Sequence, residues 1–189
     1  VTPELLEFFG IGYAPDSISE TYDHLLKAGC TRSEIVAAGL GVQKDLQEGR
    51  IYDRFRHRIM FPITDAQGAI IGFGGRAMGD SDAKYVNSPE SPLYNKSAVL
   101  FGLYQARDAI RATHRVVLVE GYFDAVACHK AGVKNVVAVS GTALTGEHQP
   151  TRPIRRKRAS RAASDRGGRS AEQIAGAERR CGRSVPRAR

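Results

Sequence analysis

Two unbroken apolar runs, Val116–Val119 and Val136–Val139, frame the most regular part of the chain. The first ends on a carboxylate, Glu120, followed at once by Gly121. Helix-compatible residues then lead to a glycine stop at Gly132, and the second run ends at Ser140-Gly141-Thr142. The pattern predicts strand, helix, strand, with near-continuous apolar strands of the kind found in a parallel sheet covered on both faces. Ligands gather at the carboxyl ends of such strands. That places Glu120 and the 140–142 turn at the chemical centre, with Asp124 one helical turn further on.

Upstream the period changes twice. Residues 3–42 read as short helices: Pro3 suits a first turn, Gly10 a stop. Ser17-Ile-Ser-Glu20 and Thr31-Arg-Ser-Glu34 both match the capping box, and each is followed by a periodic apolar segment and a glycine, Gly29 or Gly39. Residues 50–76 alternate instead. Arg54, Arg56 and Arg58 interleave with Phe55, His57 and Ile59, which on one strand would put three guanidiniums on one face. Three arginines without interleaved acids favour phosphate or nucleic-acid contact over an ordinary solvated face. His57, with no ligand partner nearby, reads as structural. Asp65-Ala-Gln-Gly68 predicts a turn with Ala69–Phe73 returning as the hairpin partner. Gly72-Phe-Gly-Gly75 lacks the Lys-Ser/Thr of a phosphate loop and reads as a strand-end bend beside Arg76. Residues 77–102, punctuated by Pro89 and Pro92, read as a polar loop without regular structure. Its Lys84 and Lys96, taken alone, are surface lysines. Leu103–Ala112 reads as a helix.

Composition matters only once it is divided by position. The formal charge is +8 overall, but residues 151–189 hold 13 Lys+Arg against 3 Asp+Glu. The first 150 residues are therefore slightly acidic. The last segment has no aromatic residue and almost no branched aliphatics, so it cannot bury enough apolar surface to offset its ordering entropy. It is expected to be disordered. Two origins suit it: an arginine-rich nucleic-acid tail, or the product of a shifted reading frame in a GC-rich gene, which the abrupt change after Gln149 favours. Cys30, Cys128 and Cys181 form no C-x-x-C pair, so neither a disulfide framework nor a structural zinc site is indicated, and a reducing compartment is the default. The amino terminus lacks a basic n-region, and no apolar run approaches the roughly 20 residues of a membrane span. A start at Val1 is expected of an internal fragment.

The blocks YDRFRHRIMFPI, IGFGGR, KYVNSPES, LFGLYQAR, VEGYFDAVA and SGTALT, in this order over about residues 1–149, resemble the catalytic core of bacterial DNA primases. Glu-Gly-Tyr-x-Asp after a strand marks the Toprim fold in general; the upstream blocks point to primase within it. The resemblance implies an α/β chain. An α+β N-terminal basic subdomain over residues 1–110 would precede the first part of a Toprim βαβ subdomain over 111–149, with the tail at 150–189. It implies template-directed synthesis of short RNA primers on single-stranded DNA, from NTPs, with Mg²⁺ or Mn²⁺, in the bacterial cytoplasm. By the same resemblance Arg56, Arg58, Arg76, Lys84, Asn87 and Lys96 contact nucleic acid or nucleotide. Glu120 is catalytic and, with Asp124, a metal ligand, while Gly121, Ser140, Gly141 and Thr142 line the site. Glu120 could be a metal ligand or a proton acceptor.

The departures from the family pattern are informative. Its Asp-x-Asp strand is expected some 44 residues after the glutamate, where this chain reads Ala163-Ser-Asp-Arg-Gly; Asp165 is not assigned the role. Neither the zinc-binding module that precedes the core nor the region that binds the replicative helicase is seen. The expectation is a truncated primase, inactive or nearly so alone. The competing expectation is a non-enzymatic nucleic-acid-binding protein that uses the arginine face and the tail.

Overall fold

The computed structural model describes residues 1–43 and 49–139. The Ser140-Gly141-Thr142 turn, Asp165 and the arginine-rich tail lie outside the described residues. Fourteen elements are built from the described residues, and helices and strands mix throughout, an α+β architecture.

The amino-terminal part is less purely helical than its periodicity suggests. Helix α1 (Pro3–Phe9) ends on Gly10 in the left-handed region, φ 65°. A short strand β1 (Gly12–Ala14) follows, then α2 (Glu20–Lys27), α3 (Arg32–Ala37) and strand β2 (Gly41–Gln43), which pairs with β3 (Ile51–Asp53). The Thr31 capping box forms in full: Glu34 N–H donates to Thr31 Oγ1 and Thr31 N–H to Glu34 Oε2. The Ser17 box forms by half. Ser17 Oγ accepts from Glu20 N–H at 3.2 Å, but the next two amides, Thr21 and Tyr22, donate to Asp53 at 2.8 Å each. A buried carboxylate from β3 caps α2, because that satisfies both orphan donors and the acid together.

The expected single strand through Arg54–Ile59 does not form. β3 stops at Asp53 and β4 (Arg58–Thr64) starts five residues later, with His57 between them at φ 49°. The chain turns there, Phe55 drops into the interior at 4 % exposure, and Arg54, Arg56 and Arg58 share no strand face.

The hairpin downstream is as expected. Asp65 Oδ1 accepts from Gln67 and Ala69 N–H in the turn, and β5 (Ile70–Ala77) returns antiparallel to β4. Gly72, Gly74 and Gly75 lie within β5, where a strand-end bend was expected. Their missing side chains admit aromatic rings: a Cβ on Gly72 would meet Tyr94, one on Gly74 Tyr122, and one on Gly75 Phe55. The proline-punctuated segment is also more regular than its sequence suggests. It contributes β6 (Tyr85–Asn87), which completes the sheet order β1-β4-β5-β6, and β7 (Leu100–Phe101).

The βαβ unit follows helix α4 (Leu103–Thr113). Strand β8 (Val117–Val119), helix α5 (Tyr122–Lys130) and β9 (Val136–Val139) form it, with β8 and β9 parallel. The sheet is mixed rather than purely parallel, since β7 joins β9 antiparallel in the order β7-β9-β8. One core serves both sheets. Phe61 of β4, Phe101 of β7 and Tyr122 of α5 meet in it, with ring centroids 4.9–5.9 Å apart. This shared aromatic core fixes the βαβ unit against the antiparallel sheet.

Candidate active site

Glu120 leaves the end of β8 exposed to solvent, and Gly121 is the N-cap residue of α5. Asp124 sits in the first turn of that helix, where the helix dipole favours a negative charge. The two carboxylates flank Gly121: a Cβ there would lie 3.1 Å from Asp124 Oδ2. A larger residue at this position would crowd the acid.

A cleft of about 230 Å³ opens beside them, lined by Tyr85, Asn87, Lys96, Glu120, Gly121, Tyr122 and Val139. It brings together four residues expected from the sequence, Asn87, Lys96, Glu120 and Gly121. Arg76 reaches its rim through Tyr85: Arg76 Nη1 donates to the Tyr85 hydroxyl at 2.6 Å, and the guanidinium stacks 5.3 Å from the Tyr85 ring and 5.2 Å from Phe123. Asn87 is held from two sides. Arg54 Nε and Nη2 donate to its main-chain oxygen, and the Tyr122 hydroxyl donates to its Oδ1 at 2.8 Å.

The other basic residues stand apart from this group. Arg58 pairs with Ala77 and Ile59 with Arg76, so strand alternation sends Arg58 and Arg76 to opposite faces of the sheet. Arg58 is only 8 % exposed, and its Nη atoms reach Lys84 O and Ser81 Oγ at 3.4 Å each. Among the described carboxylates none pairs with Arg54, Arg56, Arg58 or Arg76. Burial, with repulsion from Arg56, lowers the Arg58 pKa from its ordinary value. An arginine buried without a carboxylate suits an anionic ligand. Arg56 is exposed beside it, and Lys84 is exposed just ahead of β6. Tyr13 and His57 hydrogen-bond at 2.8 Å, as a structural histidine would.

Tyr85 and Tyr122 line the cleft without having been expected there, and Arg54, expected only as a phosphate-facing arginine, donates to the Asn87 main chain. For Tyr122 the signal lay in Gly74 of β5, where a position without a side chain makes room for the ring.

Among the described residues no group of three or more His, Cys, Asp or Glu could hold a metal. Glu120 and Asp124 still suit a hard cation. Mg²⁺ is commonly bound through one or two carboxylates, with waters and substrate phosphates completing its shell.

Fold and site together define an α+β core in which an acidic βαβ unit packs on an antiparallel sheet that carries Arg58 and Arg76. Two family models match: the DNA primase catalytic core, N-terminal domain, over residues 1–107, and the Toprim domain over residues 114–177. The chain belongs to the DNA primase catalytic-core family. The DNA primase of Halalkalibacterium halodurans is 46% identical over 155 residues, covering 82% of this chain and 25% of that protein. The crystal structure of a DNA primase domain from Pseudomonas aeruginosa superposes with a TM-score of 0.72 at 43% identity, covering 78% of this chain and 46% of that one. The RNA polymerase domain of Mycobacterium tuberculosis primase DnaG, in complex with a double-stranded DNA oligomer with an overhang, has a TM-score of 0.72 at 42% identity, again over 78% and 46%. The chain spans about a quarter of the length of the curated relatives it matches. The Toprim match runs past residue 149, into the segment whose composition had been set apart.

Proposed function

We propose that this chain supplies the basic sheet and the first acidic half of a DNA primase, an enzyme of the bacterial cytoplasm that makes short RNA primers on single-stranded DNA. The observation that carries this is the cleft itself, where Glu120 faces Asn87 and Lys96 across a space lined by two tyrosines. Among the described residues no helix is long and apolar enough to cross a membrane.

Joining a primer 3′-hydroxyl to a nucleotide builds negative charge on the attacking and leaving oxygens. Preorganised positive groups aimed at that charge lower the barrier. Lys96 and Arg76 bring positive charge to the cleft, and Asn87 orients the nucleotide through its carboxamide. Arg56, Arg58 and Lys84, on the other side of the sheet, hold the phosphate backbone of the template or primer. Glu120 and Asp124 would hold Mg²⁺ or Mn²⁺, and the bound ion would supply stabilisation of the negative charge that builds in the displacement. In the whole enzyme, zinc belongs to a separate module, and a replicative helicase is the partner that brings primase to the fork. Residues 1–110 are the basic subdomain and residues 111–149 the first part of the Toprim subdomain.

The test couples binding to metal. The chain is expected to bind single-stranded DNA with a steep salt dependence that Lys84→Ala flattens by about one unit of slope. Mn²⁺ binding, read by electron paramagnetic resonance, is expected to weaken in Glu120→Ala and Asp124→Asn while DNA binding stays. DNA binding that survives Arg56→Ala, Arg58→Ala and Lys84→Ala together would show that the basic sheet is not the template surface.

A further inference from the structure

The Asn87 side chain and Glu120 are tied through one tyrosine. Tyr122 follows Glu120 by two residues, in the first turn of α5, and its ring is 3 % exposed. Phe61 stacks on that ring at 5.1 Å and Phe101 meets it edge-on at 4.9 Å. On its strand side it fills the volume that Gly74 leaves open. A ring walled in this way cannot swing, so its hydroxyl is a fixed point. That hydroxyl donates to Asn87 Oδ1 at 2.8 Å. Asn87 lies on β6, the edge strand of its sheet, where it pairs with Gly74 of β5. Arg54 holds its main chain and Tyr122 its side chain.

We propose that Tyr122 is a positioning residue of the nucleotide site: its hydroxyl sets the Asn87 carboxamide at a fixed offset from Glu120, so that a nucleoside triphosphate meets both groups in one register. The proposal rests on the primase reading for the identity of the ligand, and on the hydrogen bond for everything else. Tyr122 acts through Asn87 and needs no contact of its own with the nucleotide. The tie spans the two halves of the molecule, from the head of the βαβ unit to the edge of the antiparallel sheet. Its loss would leave the shared aromatic core intact and withdraw only this donor from the Asn87 carboxamide.

The experiment is a double-mutant cycle on the affinity of this chain for ATP with Mg²⁺, using Tyr122→Phe, Asn87→Ala and the pair. Phenylalanine keeps the ring and its packing, so the variant is expected to fold with nearly unchanged thermal unfolding. ATP binding in Tyr122→Phe is expected to fall by roughly threefold to tenfold, the range set by one net hydrogen bond. The double variant is expected to bind no worse than Asn87→Ala alone, because coupled residues are not additive. A second readout needs no ligand: the Asn87 side-chain amide pair in a nitrogen-15 correlation spectrum is expected to shift in Tyr122→Phe. Wild-type protein that fails to bind ATP overturns the nucleotide reading and this proposal together. Wild-type binding that Tyr122→Phe leaves unchanged, additive losses in the pair, or an unmoved Asn87 amide overturns the proposal alone.

Discussion

A Cβ added to Gly74 would lie 2.7 Å from both Cζ and Oη of Tyr122, closer than side chains approach one another. The glycine and the tyrosine are therefore one feature, split between β5 and α5. Gly74→Ala is expected to push the ring off Asn87 and to cost about 1–3 kcal/mol, as overpacking of a filled core does. Denaturant unfolding checks the stability, and ATP affinity should fall with it. Gly12 is the comparison: it has open space around it and an ordinary backbone angle. Gly12→Ala is expected to stay within about 0.5 kcal/mol of wild type. Equal effects at the two glycines would mean that the Tyr122 ring yields easily.

Asp53 holds α2 from a distance of more than thirty residues in sequence. Its carboxylate, 5 % exposed, accepts from the Thr21 and Tyr22 amides. Asp53→Ala leaves two amide donors without their acceptor at a helix start, where capping losses run to about 1–2 kcal/mol. Asp53→Asn keeps one acceptor oxygen and should fall between the two. Urea unfolding of the three forms gives the order. An alanine variant as stable as wild type would show that water replaces the cap without loss.

How much of this was legible in the sequence depends on the range of the interaction. The Thr31 box and the Asp65 turn are closed within a few residues, and both were readable. The βαβ unit announced itself through two apolar runs and a glycine. The Arg54–Ile59 alternation misled because period two describes a strand only while the backbone stays extended, and His57 turns it at φ 49°. The Ser17 box was half right because a competing acid, Asp53, arrives from another strand. Arg58 and Arg76 were both expected to contact nucleic acid or nucleotide; pairing register sends them to opposite faces, and register is not written in a single strand's sequence. Tyr122 was visible as a letter of a motif. Its partner Asn87 was visible as a letter of another, and only the fold joins them.

Arg58 poses a question of sign. Its guanidinium is buried, has no described carboxylate partner and is disfavoured further by Arg56. Replacing such a charge by an apolar side chain of similar length is commonly neutral or stabilising. Arg58→Met is expected to leave stability unchanged or raised while weakening single-stranded DNA binding and reducing its salt slope by about one. A residue kept for folding would show the reverse pattern. Calorimetric unfolding and a salt titration of DNA affinity separate the two.

The last prediction concerns a histidine far from the cleft. His129 of α5 is 1 % exposed, packed against Phe9 at 5.0 Å and Phe8 at 6.0 Å, and among the described residues neither ring nitrogen has a well-aligned hydrogen-bond partner. Burial, opposed in part by the Val136 main chain and reinforced by the nearby Lys134 charge, holds its pKa down at about 4 from the ordinary 6.5. Below pH 6.5 the unfolded chain takes up a proton that the folded protein refuses until about pH 4. Stability rises with pH wherever the unfolded state binds more protons, so the contribution is fully present above about 6.5 and drains away on acidification. The whole span is worth roughly 3 kcal/mol at most. His129→Leu is expected to flatten the dependence of the urea midpoint on pH between 6.5 and 4, and to equal or exceed wild-type stability at pH 7, since it removes two unsatisfied polar atoms from the core. An unchanged slope in that window would mean that the buried ring titrates with the solvent after all, through an opening of α1 against α5.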